Sequence, residues 1–252
     1  MMEVIFLGTG SGWPRLERQP TSLLIKVGGK NILIDMGPGI TRRLLETKHT
    51  LSDIDYLFIS HFHPDHISDF IPFLQSVRYN LGYKKDKPLL IIGGKGLKKF
   101  YKNLRKLFRH LVDAGDKVII KDLVNKEIIL GKNIKVKTLR VPHNKESIAF
   151  RIEYNGKSLV YSGDTKFSEK LADFSRNADF LILECAVPNG VEGEDHLNPE
   201  LAARILKEAH AKKVAFVHLF KETENSKEIR NFEKIYHQKV IIAKDLMRIK
   251  VK

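Results

Sequence analysis

Apolar, β-branched runs at residues 4–7, 22–27, 31–35 and 56–60 are separated by Gly, Asn and Asp turn signals, which predicts a strand-rich beginning. After Gly39, the residues Ile40, Leu44 and Leu45 fall at helical spacing with Arg42, Arg43 and Glu46 between them, so a short helix is expected before Asp53. The order then returns. A strand at 157–162, a helix-like piece at 167–174 and a strand at 180–184 predict a second half related to the first. Hairpin signals at Gly29, Asn133 and Asn155, and strands alternating with helices, argue for sheets covered by helices: an α/β layered fold and not a helical bundle. No linker or low-complexity block divides the chain, so a single domain over residues 1–252 is expected.

Composition narrows the classes. With 252 residues, 42% of them apolar and 29% charged, the chain can bury a full core, which excludes a disordered or fibrous protein. One cysteine, Cys185, permits neither an internal disulfide nor a thiolate cluster and predicts a reducing, cytoplasmic setting; inside an apolar strand its thiol is expected to be inert. Residues 1–7 run straight into a Gly-rich turn without a basic leader, so no secretory signal is expected. No apolar stretch approaches the roughly 20 residues that span a bilayer, so no membrane role is expected.

Charge points either to a polyanionic partner such as nucleic acid or to the Lys-rich surface of a heat-adapted protein. The net charge is +14, and residues 84–137 hold 16 Lys/Arg against five Asp/Glu, a net +11. Within them Leu97, Phe100, Tyr101, Leu104, Leu107, Phe108 and Leu111 recur at helical spacing as an expected core stripe. The opposite face carries Lys98, Lys99 and Lys102, candidates for contact with nucleic-acid phosphates, against the alternative of a merely solvated Lys-rich helix.

The chemistry concentrates in His61-Phe62-His63-Pro64-Asp65-His66, which follows the strand at 56–60 and precedes the apolar-periodic Ile67, Phe70, Ile71 and Leu74. Imidazole nitrogen and carboxylate oxygen are common zinc ligands, and alternate residues leaving a strand end can point into one pocket. Burying four such groups for packing alone would be costly. His49, His110, His210 and His237 lie in polar, helix-like stretches and are read as solvated.

With this hexapeptide the sequence resembles the metallo-β-lactamase superfamily, whose members carry H-x-H-x-D-H after an early strand. The resemblance implies a four-layer αβ/βα sandwich and further ligands at His143 in Val141-Pro142-His143, Asp164 in Ser162-Gly163-Asp164-Thr165, and His218 in Phe216-Val217-His218. It further implies two divalent ions, zinc foremost with manganese or iron as alternatives. His61, His63 and His143 would hold one, Asp65, His66 and His218 the other, and Asp164 would bridge them. Two such ions can acidify a shared water to a pKa near about 7, so hydroxide is the expected nucleophile and Asp65 a candidate acceptor of its proton.

Within the superfamily the chain resembles the ribonuclease Z-like phosphodiesterases. Gly8-Thr9-Gly10-Ser11-Gly12, with Pro14, Arg18 and Ser22, is similar to that branch's opening, Glu184 to its H-E-A-T element, and His196 to its H-x-T element. Asn198 as N-cap and Pro199 at the first helical position place His196 on a loop at a helix entrance, where a protonated imidazole could act as general acid with Glu184 orienting it. The alternative for His196 is a surface turn residue. Departures are visible too. Only 21 positions separate His143 from Asp164, where ribonuclease Z carries a long arm; Leu16 stands where a lysine belongs and Gln19 where an asparagine does; and H-F-S-x-R-Y becomes residues 218–223, HLFKET. Substrate docking must therefore differ, and the armless cyclic-phosphodiesterase relatives match the length better.

The expected activity is phosphodiester hydrolysis on RNA or a cyclic or linear nucleotide. The rivals are a thioester or lactone hydrolase of the glyoxalase II or lactonase type, and a non-catalytic nucleic-acid-binding relative, which would usually have lost ligands that this chain retains. The sequence leaves the oligomeric state open, a homodimer included.

Overall fold

Two seven-stranded mixed sheets, one from the first half of the chain completed by its last strand and the other from the second half, face each other in the computed structural model, which describes residues 2–85, 87–191 and 195–251. Met1, at the head of the first apolar run, and Asp86, in the basic segment, lie outside them. The first half forms β1 (Met2–Gly8), β2 (Ser22–Val27), β3 (Lys30–Ile34), helix α1 (Ile40–Glu46), β4 (Tyr56–Ile59), α2 (Pro64–Ile67), α3 (Phe70–Tyr79), β5 (Leu89–Gly93), α4 (Leu97–Phe108) and β6 (Val118–Asp122). The second forms β7 (Glu127–Leu130), β8 (Ile134–Arg140), β9 (Ile148–Tyr154), β10 (Lys157–Tyr161), α5 (Glu169–Phe174), β11 (Phe180–Glu184), α6 (Pro199–Ala209) and β12 (Val214–Val217). Three short helices, α7 (Lys221–Glu224), α8 (Lys227–Arg230) and α9 (Phe232–Tyr236), lead to β13 (Ile241–Ile242) and β14 (Arg248–Val251).

The sheet orders are β14-β1-β2-β3-β4-β5-β6 and β13-β12-β11-β10-β9-β8-β7. Each sheet begins as an antiparallel meander and continues as parallel strands, from β3 to β6 in one and from β10 to β13 in the other. This is the repeated order read from the sequence. The predicted hairpins are present at Gly28-Gly29, Gly131 and Asn155-Gly156, where positive φ values suit glycine and asparagine.

The apolar residues segregate into three layers. Phe6, Ile25, Ile34, Phe150, Ile152 and Phe180 belong to the layer between the sheets, where Phe58 stacks on Phe150 at 5.0 Å between ring centroids. A second layer joins the first sheet to α1, α3 and α4 through Leu44, Phe73, Leu74 and Leu97. A third joins the second sheet to α5 and α6 through Leu171, Ala202, Ile205 and Phe216. The result is the expected αβ/βα sandwich. No helix among the described residues is long and apolar enough to cross a membrane.

Several expectations need correction. The strands expected to run to Asp35 and Ser60 end one residue earlier. Asp35 turns to φ 59°, and its carboxylate takes the Ser60 N–H at 2.7 Å in place of a ladder partner. The helix expected from 167 begins at Glu169, because the Ser168 hydroxyl accepts from the Leu171 N–H and caps it. On α4 only Leu97 and Leu104 are buried, while Leu107 is 73% exposed. That helix lies against β6, the edge strand of its sheet, and Leu111 falls beyond the break at Arg109. His110, His210 and His237 are exposed as expected, but His49 is half-buried with Nδ1 2.8 Å from the Thr47 hydroxyl.

Asp179, at the entrance to β11, pins that strand to its parallel neighbour. Its carboxylate accepts from the Ser158 N–H at 2.9 Å and from Lys212 at 2.9 Å, with Lys157 at 3.5 Å. Burial pushes the carboxyl up, but the Lys212 and Ser158 hydrogen bonds and the charges of Lys212 and Lys157 outweigh it and hold the pKa at about 2. Since the folded-state value lies below the ordinary one, this stabilisation is complete above about pH 4 and is lost as pH falls towards 2. Asp179→Asn is expected to cost about 1.5–3 kcal/mol at neutral pH. In urea unfolding series the gap between wild type and variant should close below pH 4; a gap independent of pH would contradict this account.

Candidate metal centre

The ends of strands from both sheets meet at one edge of the sandwich and bring seven of the proposed residues together. Beyond β4, His61 and His63 leave the strand and Pro64 starts α2, which carries Asp65 and His66. His143 follows β8, Asp164 follows β10, and His218 follows β12 at φ 60°. Ligand-type atoms of His61, His63, His143 and Asp164 lie within 4.8 Å of one another, as do those of Asp65, His66 and His218. Asp164 lies between the groups: one oxygen is 3.6 Å from His61 Nε2, 3.4 Å from His66 Nε2 and 3.2 Å from His218 Nε2.

Outward hydrogen bonds fix which face His61, His63, His66 and His143 turn inward. His143 Nδ1 donates to the Asp195 carbonyl at 2.8 Å, which leaves Nε2 for the centre. The Asn144 amide contacts His63 Nε2 at 2.7 Å, and His63 Nδ1 faces His143 Nε2 at 3.3 Å. His66 Nδ1 donates to Asp35 at 2.9 Å, and His61 Nδ1 contacts the Ser60 hydroxyl at 3.0 Å. Ser60 in turn donates to Asp35 at 2.7 Å, and the Tyr161 hydroxyl does so at 3.1 Å. Asp35 thus orients two rings through a fully buried carboxylate.

The sequence reading missed Asp35, Ser60, Tyr161 and Asn144. The available signal was an acidic residue closing the apolar run 31–35, beside the strand that ends in the histidine motif. Nothing in periodicity marks it as different from a turn residue.

The donor set suits divalent cations. His61 Nε2, His66 Nε2, both Asp164 oxygens and His218 Nδ1 are buried and have no hydrogen-bond partner among the described residues. Orphaned polar atoms in such number are costly in a protein interior, and a cation bound between them would satisfy several at once. Burial, with the neighbouring His66 imidazole, holds His61 well below the usual histidine range and keeps its lone pair available. Asp164 is pushed up by burial but pulled well below the carboxylate range by His218, His66 and His61, so it is ionised.

Glu184 and His196 lie immediately beside the cluster. Glu184, the last residue of β11 and fully buried, accepts from the backbone N–H groups of Thr165 at 2.7 Å, Ala186 at 3.2 Å and Leu197 at 3.2 Å, and from His196 Nδ1 at 2.9 Å. The Asn198 side chain accepts from the Leu201 N–H and caps α6, which sets His196 on the preceding loop. Its ring centre is 5.0 Å from that of His143 and 5.2 Å from that of His218. Burial lowers its pKa, but the Glu184 hydrogen bond and charge prevail and raise it to about 9. The Cys185 thiol beside Glu184 is pushed well up by burial and stays protonated.

The glycine-rich loop serves close approach. Thr9 accepts from the His218 N–H at 2.9 Å, and a Cβ on Gly12 would lie 3.2 Å from the Asp65 carboxyl carbon. Arg18, buried, donates to Thr9, to the Ala243 carbonyl at 2.6 Å and to both oxygens of Glu224, which clamps this loop to α7. Lys98, Lys99 and Lys102 are exposed on α4 and outside the cluster. That helix starts next to the histidine turn, with Phe62 stacked on Phe100 at 5.0 Å.

Comparison with known proteins agrees with this architecture. The profile of the family described as Anti-Pycsar protein Apyc1 matches residues 2–242. A ribonuclease Z of Thermococcus sibiricus is 30% identical, over 97% of this chain and 95% of that protein. A ribonuclease Z of Methanosarcina mazei is 26% identical, over 100% and 98%. Among solved structures, the metallo-β-lactamase fold protein YhfI from Bacillus subtilis superposes with a TM-score of 0.84 at 24% identity, covering 99% of this chain and 100% of that one. Human tRNase Z, short form, gives 0.80 at 22% identity, covering 99% of each. The chain belongs to the family described as Anti-Pycsar protein Apyc1 and, with its ribonuclease Z relatives, to the metal-dependent hydrolases of the metallo-β-lactamase fold.

Proposed function

We propose that this chain hydrolyses phosphodiesters of RNA or of a cyclic or linear nucleotide at the junction of its two sheets. The observation that carries the choice of bond is the His196–Glu184 pair, a cationic imidazole held against the cluster. His61, His63 and His143 would hold one divalent cation, Asp65, His66 and His218 a second, with Asp164 between them; zinc suits this nitrogen-rich set, and manganese or iron are alternatives. Bound there, the ions supply an acidified water as nucleophile and offset charge on the phosphoryl oxygens.

The protein groups divide the proton transfers. Asp65, ionised and aimed at His218 Nε2 from 3.3 Å, is placed to accept the proton of the attacking water. With Nδ1 tied to Glu184, His196 presents Nε2 to the centre, where it can hold a non-bridging oxygen and protonate the leaving alkoxide. Glu184, fixed by three backbone N–H groups, keeps that ring charged and oriented. A carbonyl substrate with a thiolate leaving group has less need of such an acid.

The exposed lysines on α4 extend a cationic surface away from Phe62, and we assign them to the phosphates of a longer RNA. Lys102 also lines a cavity of about 520 Å³ with Lys106, Arg109 and Arg105, the last paired with Asp113 at 2.6 Å.

Bis(p-nitrophenyl) phosphate is expected to be hydrolysed, with the activity abolished by chelator and restored by added zinc or manganese; hydrolysis of a thioester alone would overturn the choice of bond. His196→Ala should lower phosphodiester turnover by about 10² to 10⁴ with metal content unchanged. Glu184→Gln should move the alkaline limb of the rate to lower pH, because a His196 pKa of about 9 falls back towards 6.5 without the carboxylate. Wild-type turnover in the His196 variant would remove it from the mechanism. Changing Lys98, Lys99 and Lys102 together to Glu should flatten the dependence of log K for RNA on log salt by about two to three units. An unchanged slope would show that this face is only solvated.

A further inference from the structure

A cavity of about 600 Å³, unused by the chemistry above, is lined by Ser11, Trp13, Phe220 and Glu222 among others. It adjoins the metal-type cluster on two sides. The Ser11–Gly12–Trp13 segment lies against Asp65, and the Phe220 ring centre is 6.3 Å from those of both His196 and His218. Its volume is that of a small-ligand pocket.

Trp13 is 76% exposed, although an indole ordinarily contributes most by burial. Arg15, also in the lining, lies 2.9 Å from Glu224, which it shares with Arg18, and 3.7 Å from Glu17; the lining as a whole sets Arg15 and Lys221 against Glu17 and Glu222, so its charge is balanced and does not make the cavity an anion site. The Ser11 hydroxyl is buried and has no hydrogen-bond partner among the described residues. Two aromatic faces, balanced charge and one unsatisfied hydroxyl suit a flat, neutral, heteroaromatic group better than a phosphate.

We propose that this cavity is the nucleobase subsite, in which Trp13 and Phe220 stack on the base of the nucleoside carrying the leaving oxygen and Ser11 bonds its polar edge or ribose. Phe220 lies next to His196, so the base and the oxygen that His196 protonates belong to the same nucleoside. That choice of nucleoside rests on the phosphodiesterase reading; base binding itself does not. Base–aromatic stacking is sequence-tolerant, and Glu222 at the rim favours bases that present an amino donor.

Trp13 is the only tryptophan in the chain, so its emission reports occupancy directly. Titrating the metal-loaded protein with adenosine 5′-monophosphate or cytidine 5′-monophosphate is expected to quench it saturably, while ribose 5-phosphate at equal concentration leaves it unchanged. Phe220→Ala should weaken nucleotide affinity about fivefold or more, and Phe220→Tyr should restore it. Calorimetric titration of Trp13→Ala should show a similar loss. Equal quenching by ribose 5-phosphate, or quenching that never saturates in the wild type, would overturn the subsite. Saturable, base-dependent quenching in a protein that turns over no phosphodiester would uphold the subsite and reject the reaction.

Discussion

A single carboxylate, Asp35, fully removed from solvent between the two sheets, sets the geometry on which the centre depends. It accepts from the Ser60 backbone and hydroxyl, from His66 and from Tyr161, and so joins β3, β4 and β10 through one side chain. A carboxyl group buried in that position is tolerable only because four donors converge on it. Each donor then has one orientation left. His66 must point Nε2 away from Asp35, and Ser60, oriented by the same carboxylate, steadies His61 Nδ1. The rings face the centre because their opposite edges are held from within the core.

Glu184 follows the same design on the other side of the centre. It sits at the carboxyl end of β11, gathers three backbone N–H groups and spends its remaining capacity on His196. The histidines on the two sides nevertheless end in opposite states. His61 has no carboxylate on its outer edge and is driven towards the neutral form by burial and by the neighbouring His66. His196, gripped by Glu184, is held cationic against the same kind of desolvation. A neutral imidazole is what a metal requires, and a cationic one is what a leaving oxygen requires. His66, whose outer edge also meets a carboxylate, is pushed the same way as His196 by Asp164 and Asp35, so the outer partner alone does not set the role.

Much of this was legible in the chain. Alternation and turn residues located β2, β10 and β11 closely, because strands buried between a sheet and a helix layer are written as dense apolar runs. The seven clustered residues were legible through the H-x-H-x-D-H motif and the matching positions at strand ends, and the capped helix after Asn198 located His196. Asp35 was not, since its partners come from strands 25 and 126 positions away and only the folded sheets reveal them. Leu107 read as core because helical spacing marks a face without saying whether a sheet lies beneath all of it; α4 lies at an edge and leaves that position bare. Trp13 and Phe220 could not be linked for a related reason: one precedes β2 and the other follows β12, and they share a cavity because the folded chain lays Thr9 and Gly10 beside His218 and Leu219.

The repeated order of the two halves explains why the centre lies where it does. In each sheet the parallel strands end at the same edge of the sandwich, and loops at the carboxyl ends of parallel strands are the natural place for variable chemistry. The first half contributes His61, His63, Asp65 and His66 from one turn, whereas the second contributes His143, Asp164 and His218 from three separate strand ends. A cluster divided in this way is only as well ordered as the apolar layer between the sheets, where Phe58 meets Phe150 two residues from the turn that begins the motif. The inter-sheet core is therefore part of the functional apparatus: it sets the distance between half-sites that neither half contains alone.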